Sequence, residues 1–312
     1  MIMHRGDQTL AIRALKSAAP YIRMYKGKTF VVKAGGGVFA EPALTRSLVE
    51  QIGILHYFGV RVVLVHGGGP QLSELSAALG VPTQMVEGRR VTDARSIEVT
   101  AMVLNGLINT RVLAMCRDLN IDAVGISGVD AGLIRAHKRP PVRLGSGSEL
   151  VDFGFVGDID AVDTTVLKKL LDNGLMPVVS PLSADEAGTL LNINADTVAA
   201  AIGAALGAEK LLLCTGAPGI LGSRADPGSL ISYTDLAGLK RLREEGRIAE
   251  GMLPKAKAIE DALRGGVRRV HVVSYRSPEG ILGEVFTNEG TGTLIVADIN
   301  ALTPAEQQPG TP

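Results

Sequence analysis

The chain has 312 residues, with 32 Lys and Arg against 32 Asp and Glu, 38 glycines, two cysteines and no tryptophan. At about 150 residues per domain this is one large domain or two lobes, and 46% hydrophobic with 21% charged residues excludes a disordered chain. A net charge of zero argues against nucleic acid or an anionic membrane as the main partner, because either needs surplus Lys and Arg against phosphate. Cys116 and Cys214 lie far apart in no metal-ligand spacing and read as buried thiols of a reducing compartment. No signal-like apolar stretch opens the chain and no run approaches the ~18 apolar residues of a membrane span, so a cytoplasmic protein is expected.

In chain order, apolar residues recur at helical spacing over residues 10–25, with Pro20 predicting a kink or stop. Thr29-Phe30-Val31-Val32-Lys33 reads as a strand that runs into Gly35-Gly36-Gly37. Residues 43–58 read as a helix stopped by Gly59, and Val60-Arg61-Val62-Val63-Leu64-Val65 as a buried parallel strand ending in His66-Gly67-Gly68-Gly69-Pro70. A helix over 71–79 follows. Further strands are expected at 123–126, 176–180, 210–214 and 269–273, separated by helices at 97–116, 164–173, 196–206 and 255–264. This alternation predicts an α/β fold: an open, mainly parallel sheet between two layers of helices. Residues 138–160, with Pro140-Pro141 and Gly145-Ser146-Gly147-Ser148, read as a hairpin-like excursion at the sheet edge, and the polar, Pro-rich 301–312 as a disordered tail.

Glycine is roughly 12% of the chain where about 7% is usual, and its placement matters. A glycine turn between a strand and a helix can serve only as a tight connection. It can also gather backbone N–H groups at a positive helix terminus, where an anion can come close. Two triplets after two strands, one just behind Lys33, favour the anion reading. No GxxxxGK[ST] string occurs. Residues 35–40 fit GxGxxA, but the next strand ends Val65-His66-Gly67 without the acidic residue that a dinucleotide's ribose requires. Lys33 at the strand end suits phosphoryl transfer better than hydride transfer. His66 reads as a structural hydrogen-bonding histidine, and His56 and His137 as surface residues.

Five ordered motifs carry a resemblance: Phe30-Val31-Val32-Lys33-Ala34-Gly35-Gly36, Val65-His66-Gly67-Gly68-Gly69-Pro70, Gly88-Arg89-Arg90-Val91-Thr92-Asp93, Asn192-Ile193-Asn194-Ala195-Asp196 and Gly251-Met252-Leu253-Pro254-Lys255. Together with Gly125-Ile126-Ser127-Gly128 the sequence over residues 10–298 resembles the acetylglutamate kinases of the amino acid kinase family. The resemblance implies an open αβα sandwich of two lobes. Residues 1–27 would be a kinked helix for oligomerisation and regulation, 28–188 the lobe for the acylamino acid and dimerisation, and 189–300 the nucleotide lobe. It implies transfer of the ATP γ-phosphoryl group to the side-chain carboxylate of N-acetyl-L-glutamate, the second step of arginine biosynthesis. Mg²⁺ would arrive with ATP, and no separate metal site is expected.

By the same resemblance Lys33 and Lys255 are transition-state cations, Asp196 orients both, and the N–H groups of Gly36 and Gly68 cover the transferring oxygens. Gly68, Gly69, Arg90 and Asn192 would bind the acylamino acid, and Thr215, Gly216, Gly219, Gly251, Met252 and Lys255 the nucleotide. Three departures stand out: Gly216 replaces an aspartate in Thr215-Gly216-Ala217-Pro218-Gly219, Ala34 replaces a tyrosine, and Val129 a lysine. The N-terminal helix resembles that of hexameric members, built as a trimer of dimers and inhibited by L-arginine. Tyr21, His271, Glu284 and Gly290 fall where their arginine pocket lies, although Ser274-Tyr275-Arg276 replaces the usual Asp-Gly-Arg. Other readings on the same fold are a kinase for another N-acylated acidic amino acid or a carbamate-type oxygen, and a non-catalytic amino-acid-sensing module.

Overall fold

The computed structural model describes residues 5–86, 89–143, 150–223, 226, 228–248 and 252–301. Gly88, Gly251, the Gly145-Ser146-Gly147-Ser148 stretch and residues 302–312 lie outside them.

An eight-stranded sheet carries the fold, in the order Tyr233–Asp235, Thr293–Val296, Arg269–Ser274, Lys210–Thr215, Thr29–Ala34, Arg61–His66, Met176–Ser180, Ala123–Ser127. Six neighbouring strands run parallel; Thr293–Val296 turns antiparallel against Arg269–Ser274 and takes Tyr233–Asp235 with it. The continuous apolar runs have a physical reason, since each inner strand is buried on both faces. Alternate residues feed two cores. Val31, Val63, Val65, Leu211 and Leu213 face the helices Ala195–Leu206 and Leu253–Arg264. Phe30, Val32, Leu64, Leu212 and Cys214 face Pro42–Tyr57, Ala94–Asp118 and Gly280–Phe286. The result is the expected αβα sandwich.

Registers place the two glycine turns side by side. Lys33 pairs with Val65 and Leu213, and Ala34 with His66 and Cys214. Gly59, with φ of +83°, ends the Pro42–Tyr57 helix as expected. The first turn continues into a 3₁₀ segment, Gly36–Ala40, before that helix.

Several expectations need correction. The first helix, Arg5–Tyr25, runs through Pro20 without a stop; proline removes one backbone donor, which flanking turns can tolerate. The 97–116 helix spans Ala94–Asp118 and widens to π geometry over Met102–Asn109. It is long and apolar enough to cross a membrane by length and composition, contrary to the sequence count. Val99, Val103, Leu104, Ile108 and Val112 nevertheless bury one face of it in the second core. The helices Leu236–Glu244 and Gly280–Phe286 and a second sheet were not anticipated. That sheet is ordered Leu190–Asn192, Leu182–Ala184, Ile134–Lys138, Gly157–Val162; the 138–160 stretch adds most of Gly157–Val162 to it and holds the short hairpin Val142–Arg143/Leu150–Val151.

Candidate functional site

At the centre of the sheet's carboxyl edge, one carboxylate holds two ammonium groups. Lys33 ends the Thr29–Ala34 strand, Asp196 lies in the first turn of Ala195–Leu206, and Lys255 in the first turn of Leu253–Arg264. Asp196 Oδ1 is 3.0 Å from Lys33 Nζ and 2.9 Å from Lys255 Nζ. All three residues are buried, at 8%, 8% and 7% exposure. The Asn194 side chain caps the Asp196 helix by accepting from Asp196 N at 2.8 Å and Thr197 N at 3.2 Å. Burial pushes the Asp196 carboxyl up, but the two lysines outweigh it and hold it below the usual carboxylate range. Burial, then the neighbouring Lys33 charge, pulls the Lys255 ammonium below its ordinary value. The Cys214 thiol is pushed up to about 12 by burial and stays protonated at neutral pH.

Lys33 and Asp196 open onto a cavity of about 590 Å³ that Gly36, Gly67, Gly68, Gly69, Arg90 and Asn192 also line, among others; Lys255 stands behind Asp196 and its helix reaches the cavity through Leu253, Pro254 and Lys257. A Cβ at Gly36 would stand 2.7 Å from Pro70 Cδ, and one at Gly68 would stand 2.4 Å from Ile108 Cδ1. Gly36, which would also meet Gly69 N at 2.9 Å, therefore needs glycine; a Cβ at Gly68 would press on buried side-chain ends, and one at Gly69 would meet nothing within 4 Å. Arg90, on the Gln84–Val86/Arg89–Val91 hairpin, donates to Thr83 Oγ1 at 2.9 Å and Ser73 Oγ at 2.7 Å. Those bonds aim a fork of donors suited to a carboxylate. Asn192 Nδ2 donates to Thr92 Oγ1 at 3.3 Å, leaving its carbonyl free for an amide donor. A second cavity of about 570 Å³, lined by Leu113, Arg117 and Leu175, carries none of these groups.

Thr215, Gly216, Gly219 and Met252 do not line the Arg90 cavity. Thr215 ends the strand beside Lys33, and its Oγ1 accepts from Ala217 N at 3.0 Å. A Cβ at Gly216 would stand 3.1 Å from the Tyr275 hydroxyl. Gly219 has the geometry of a packing position, its missing Cβ lying 2.6 Å from both Leu230 Cδ1 and Thr293 Oγ1. Met252 caps the Lys255 helix.

Tyr21, His271, Glu284 and Gly290 gather at the end of the Gly280–Phe286 helix. The Tyr21 hydroxyl donates to Asn288 Oδ1, and its ring stands edge-on to Phe286 at 6.5 Å. His271 Nδ1 lies 2.6 Å from Glu284 Oε1, and Glu284 Oε2 accepts from Thr291 N at 2.6 Å and Gly292 N at 2.9 Å. Gly290 has φ of +63°, and a Cβ there would stand 2.8 Å from Glu284 Oε2. Lys210 escaped the sequence reading because it opens an apolar strand. Its Nζ lies 3.0 Å from His271 Nε2 and 5.1 Å from the Tyr25 ring centre. Burial, then Arg269, pulls the Lys210 ammonium down to about 7. His271 therefore accepts from the lysine and donates to the glutamate.

His66 is structural, as its position suggested. Its Nε2 accepts from Asn109 Nδ2 at 3.2 Å, and burial pulls it down to about 4, so it is neutral. His137 is exposed beside Asp160, but His56 is half-buried rather than a surface residue.

The amino acid kinase family model matches residues 28–274. An acetylglutamate kinase of Myxococcus xanthus is 48% identical over 94% of this chain and 96% of its own length. The chloroplastic acetylglutamate kinase of Arabidopsis thaliana is 39% identical over 91% of this chain and 80% of that protein. Among solved structures, N-acetylglutamate synthase from Neisseria gonorrhoeae, complexed with coenzyme A and N-acetyl-glutamate, is 30% identical with a TM-score of 0.79. The match covers 92% of this chain, which spans 63% of that protein's length. Carbamate kinase from Giardia lamblia, at 19% identity and a TM-score of 0.61 over 87% of this chain and 99% of that one, shares the fold. With its sheet order, its carboxylate-bridged lysines and these relatives, the chain belongs to the amino acid kinase family, in its acetylglutamate kinase branch.

Proposed function

We propose that this protein is an ATP-dependent kinase acting on the side-chain carboxylate of N-acetyl-L-glutamate, the second step of arginine biosynthesis. The observation that carries the reading is Asp196 holding Lys33 and Lys255 at 3.0 and 2.9 Å beside a glycine-lined cavity that contains Arg90. A carboxylate is ionised at pH 7, so no general base is needed. The barrier is repulsion between two anions, and catalysis reduces to positioning and charge neutralisation. Arg90 takes the α-carboxylate and Asn192 the acyl amide. An oxygen of the side-chain carboxylate forms a bond to the γ-phosphorus as the bond to the β,γ-bridging oxygen breaks, giving an acyl phosphate and ADP. Lys33 spans the transferring group, Lys255 neutralises the leaving β-phosphate side, and the N–H groups of Gly36 and Gly68 point at the transferring oxygens.

The donor set fits a triphosphate: two cations and a cradle that a Cβ would fill. Asp196 is the only carboxylate among the cavity's described lining residues, and it is committed to the lysines. Mg²⁺ is thus best carried by phosphate oxygens and water, where it shields the charge of the transferring group. The nucleotide base and ribose extend over Thr215, Gly216 and Met252, along the carboxyl ends of the strands beyond Lys33. L-arginine as an effector at Tyr21, His271, Glu284 and Gly290, in a hexameric assembly, belongs to the same proposal. It is supported by the N-terminal helix setting Tyr21 against Phe286, beside the buried His271–Glu284 pair.

A hydroxamate assay of the acyl phosphate, with MgATP and a panel of N-acylated glutamates and aspartates, tests the reading. N-acetyl-L-glutamate is expected to be the preferred acceptor, and no turnover with it would sink the proposal. Adding millimolar L-arginine to the same assay is expected to inhibit; a flat response removes the effector and leaves the kinase.

A further inference from the structure

Gln71 sits in the first turn of the Gly69–Ala78 helix, directly behind the 67–69 turn, and is 6% exposed. Its Nε2 donates to the Gly36 carbonyl at 2.8 Å. That carbonyl can only accept, so the amide has one orientation. The opposite end, Oε1, is buried without a hydrogen-bond partner among the described residues. The two glycine turns touch at this place: a Cβ at Gly36 would stand 2.9 Å from Gln71 Oε1 and 2.9 Å from Gly69 N. At their roots the turns are tied by Gly67 N donating to Ala34 O at 2.8 Å; nearer their tips, Gln71 supplies the tie.

Burying half of an amide unpartnered is unfavourable. A side chain present only to fill this volume would be better as an apolar residue of the same length. The amide instead fixes something a filler cannot. Gly36 and Gly37 open the short 3₁₀ segment Gly36–Ala40, and glycine has the widest choice of backbone conformation, so that single turn alone holds the plane between them only loosely. Because the peptide unit is planar, pinning the Gly36 oxygen holds the Gly36–Gly37 plane, with its Gly37 N–H, against the second turn, and anchors the Gly36 Cα that also carries the Gly36 N–H of the cradle.

We propose that Gln71 is a positioning residue for phosphoryl transfer, fixing the Gly36 peptide relative to the 67–69 turn and so setting the shape of the anion cradle. This rests on the reading that the cradle receives the transferring phosphoryl group. Donors held in place for a transition state act on kcat, whereas substrates already grip the protein through Arg90, Asn192 and the lysines. Gln71 touches no substrate and works entirely through Gly36.

Gln71→Met keeps the length and loses the hydrogen bond. Its kcat is expected to fall about tenfold or more, with KM for N-acetyl-L-glutamate and for MgATP each within about threefold of the wild type. Binding of MgADP with aluminium fluoride and N-acetyl-L-glutamate, which mimics the transferring group, should weaken by about the same factor while MgADP alone binds as before. Gln71→Leu, which has no donor for Gly36 at any pH, should lose kcat in the same way. A kcat within about twofold of the wild type in either folded variant, or an equal weakening of MgADP alone, would overturn the assignment. Failure of both variants to fold would overturn it too, since Gln71 would then be a stability residue. An inactive wild type defeats the kinase reading itself; an active wild type with an active Gln71→Met defeats only the role of Gln71.

Discussion

Asp196 is a counter-ion before it is anything else. Lys33 and Lys255 both reach its Oδ1, and each ammonium without it would stand buried beside a like charge. Asp196→Asn keeps the volume and removes the compensation. Turnover in the hydroxamate assay should fall by about 10²–10³-fold, because the lysines lose both their orientation and the carboxylate that compensates their charge. A loss of less than about threefold would show that the lysines orient without Asp196. Lys255 adds a pH signature. Burial, then Lys33, lowers its proton affinity, so raising the pH neutralises it sooner than an ordinary lysine near 10.4. The kcat/KM profile for MgATP, which reports the free enzyme, should therefore decline on the alkaline side before the pH at which an ordinary lysine loses its proton, and a profile with no such early decline would remove a charged Lys255 from nucleotide capture. Lys33 was legible in the sequence as a strand end behind a glycine turn, whereas Asp196 and Lys255 stood out through the motifs that carry the family resemblance. Lys210 and Gln71 were not, since the meaning of each comes from a partner that the chain supplies elsewhere, His271 for one and Gly36 for the other.

The second glycine turn is seated on an element the sequence pattern described only in part. Helical periodicity marks residues 97–116, but not the widening over Met102–Asn109, which has no compositional signature. That segment presents Leu104 and Ile108 to Gly68 and turns Asn109 toward His66 and the Val178 carbonyl. The Gly67–Gly68 backbone is thus held by buried side chains from below. Gly68→Ala would drive a methyl to 2.4 Å from Ile108 Cδ1 and 2.8 Å from Leu104 Cδ2, two side chains already 2% and 3% exposed. Overpacking of this kind costs about 1–3 kcal/mol, so Tm should drop by several degrees, and the displaced N–H should lower kcat. Gly69→Ala, one residue on, meets open space and should keep the wild-type Tm. Equal melting of the two variants would mean that the turn is not seated on this helix. The alternating strands and helices were readable because apolar runs and glycine stops are local. The second sheet was not, because strands such as Leu182–Ala184 and Leu190–Asn192 are three residues long and are fixed by each other and by partners distant in the chain, Ile134–Lys138 and Val156.

The main sheet has four strands from residues 28–188 on one side and four from residues 189–300 on the other, meeting at Thr29–Ala34 and Lys210–Thr215. That seam explains how a chain of zero net charge can recognise an anion: Lys33 and Lys255 concentrate positive charge at the centre of its carboxyl edge. It also buries two imidazoles, one on each side. His66 and His271 are 0% and 2% exposed, and burial pulls each down to about 4, with Lys210 adding to the effect on His271. Unfolded, both would titrate near 6.5. Between pH about 6.5 and 4 the unfolded chain therefore binds protons that the folded chain refuses, and acid favours unfolding over that window. The stability each neutral imidazole contributes is complete above pH about 6.5 and is lost as pH falls toward 4, an effect on the order of 2–3 kcal/mol per histidine. Tm should accordingly fall between pH 7 and 5, before most carboxylates protonate. His66→Gln offers an uncharged amide to the Asn109 side, and its Tm should vary less over the same range. A wild-type Tm constant from pH 7 to 5, or a His66→Gln curve parallel to the wild type, would show that these imidazoles accept protons in place and do not set the acid limit of the fold.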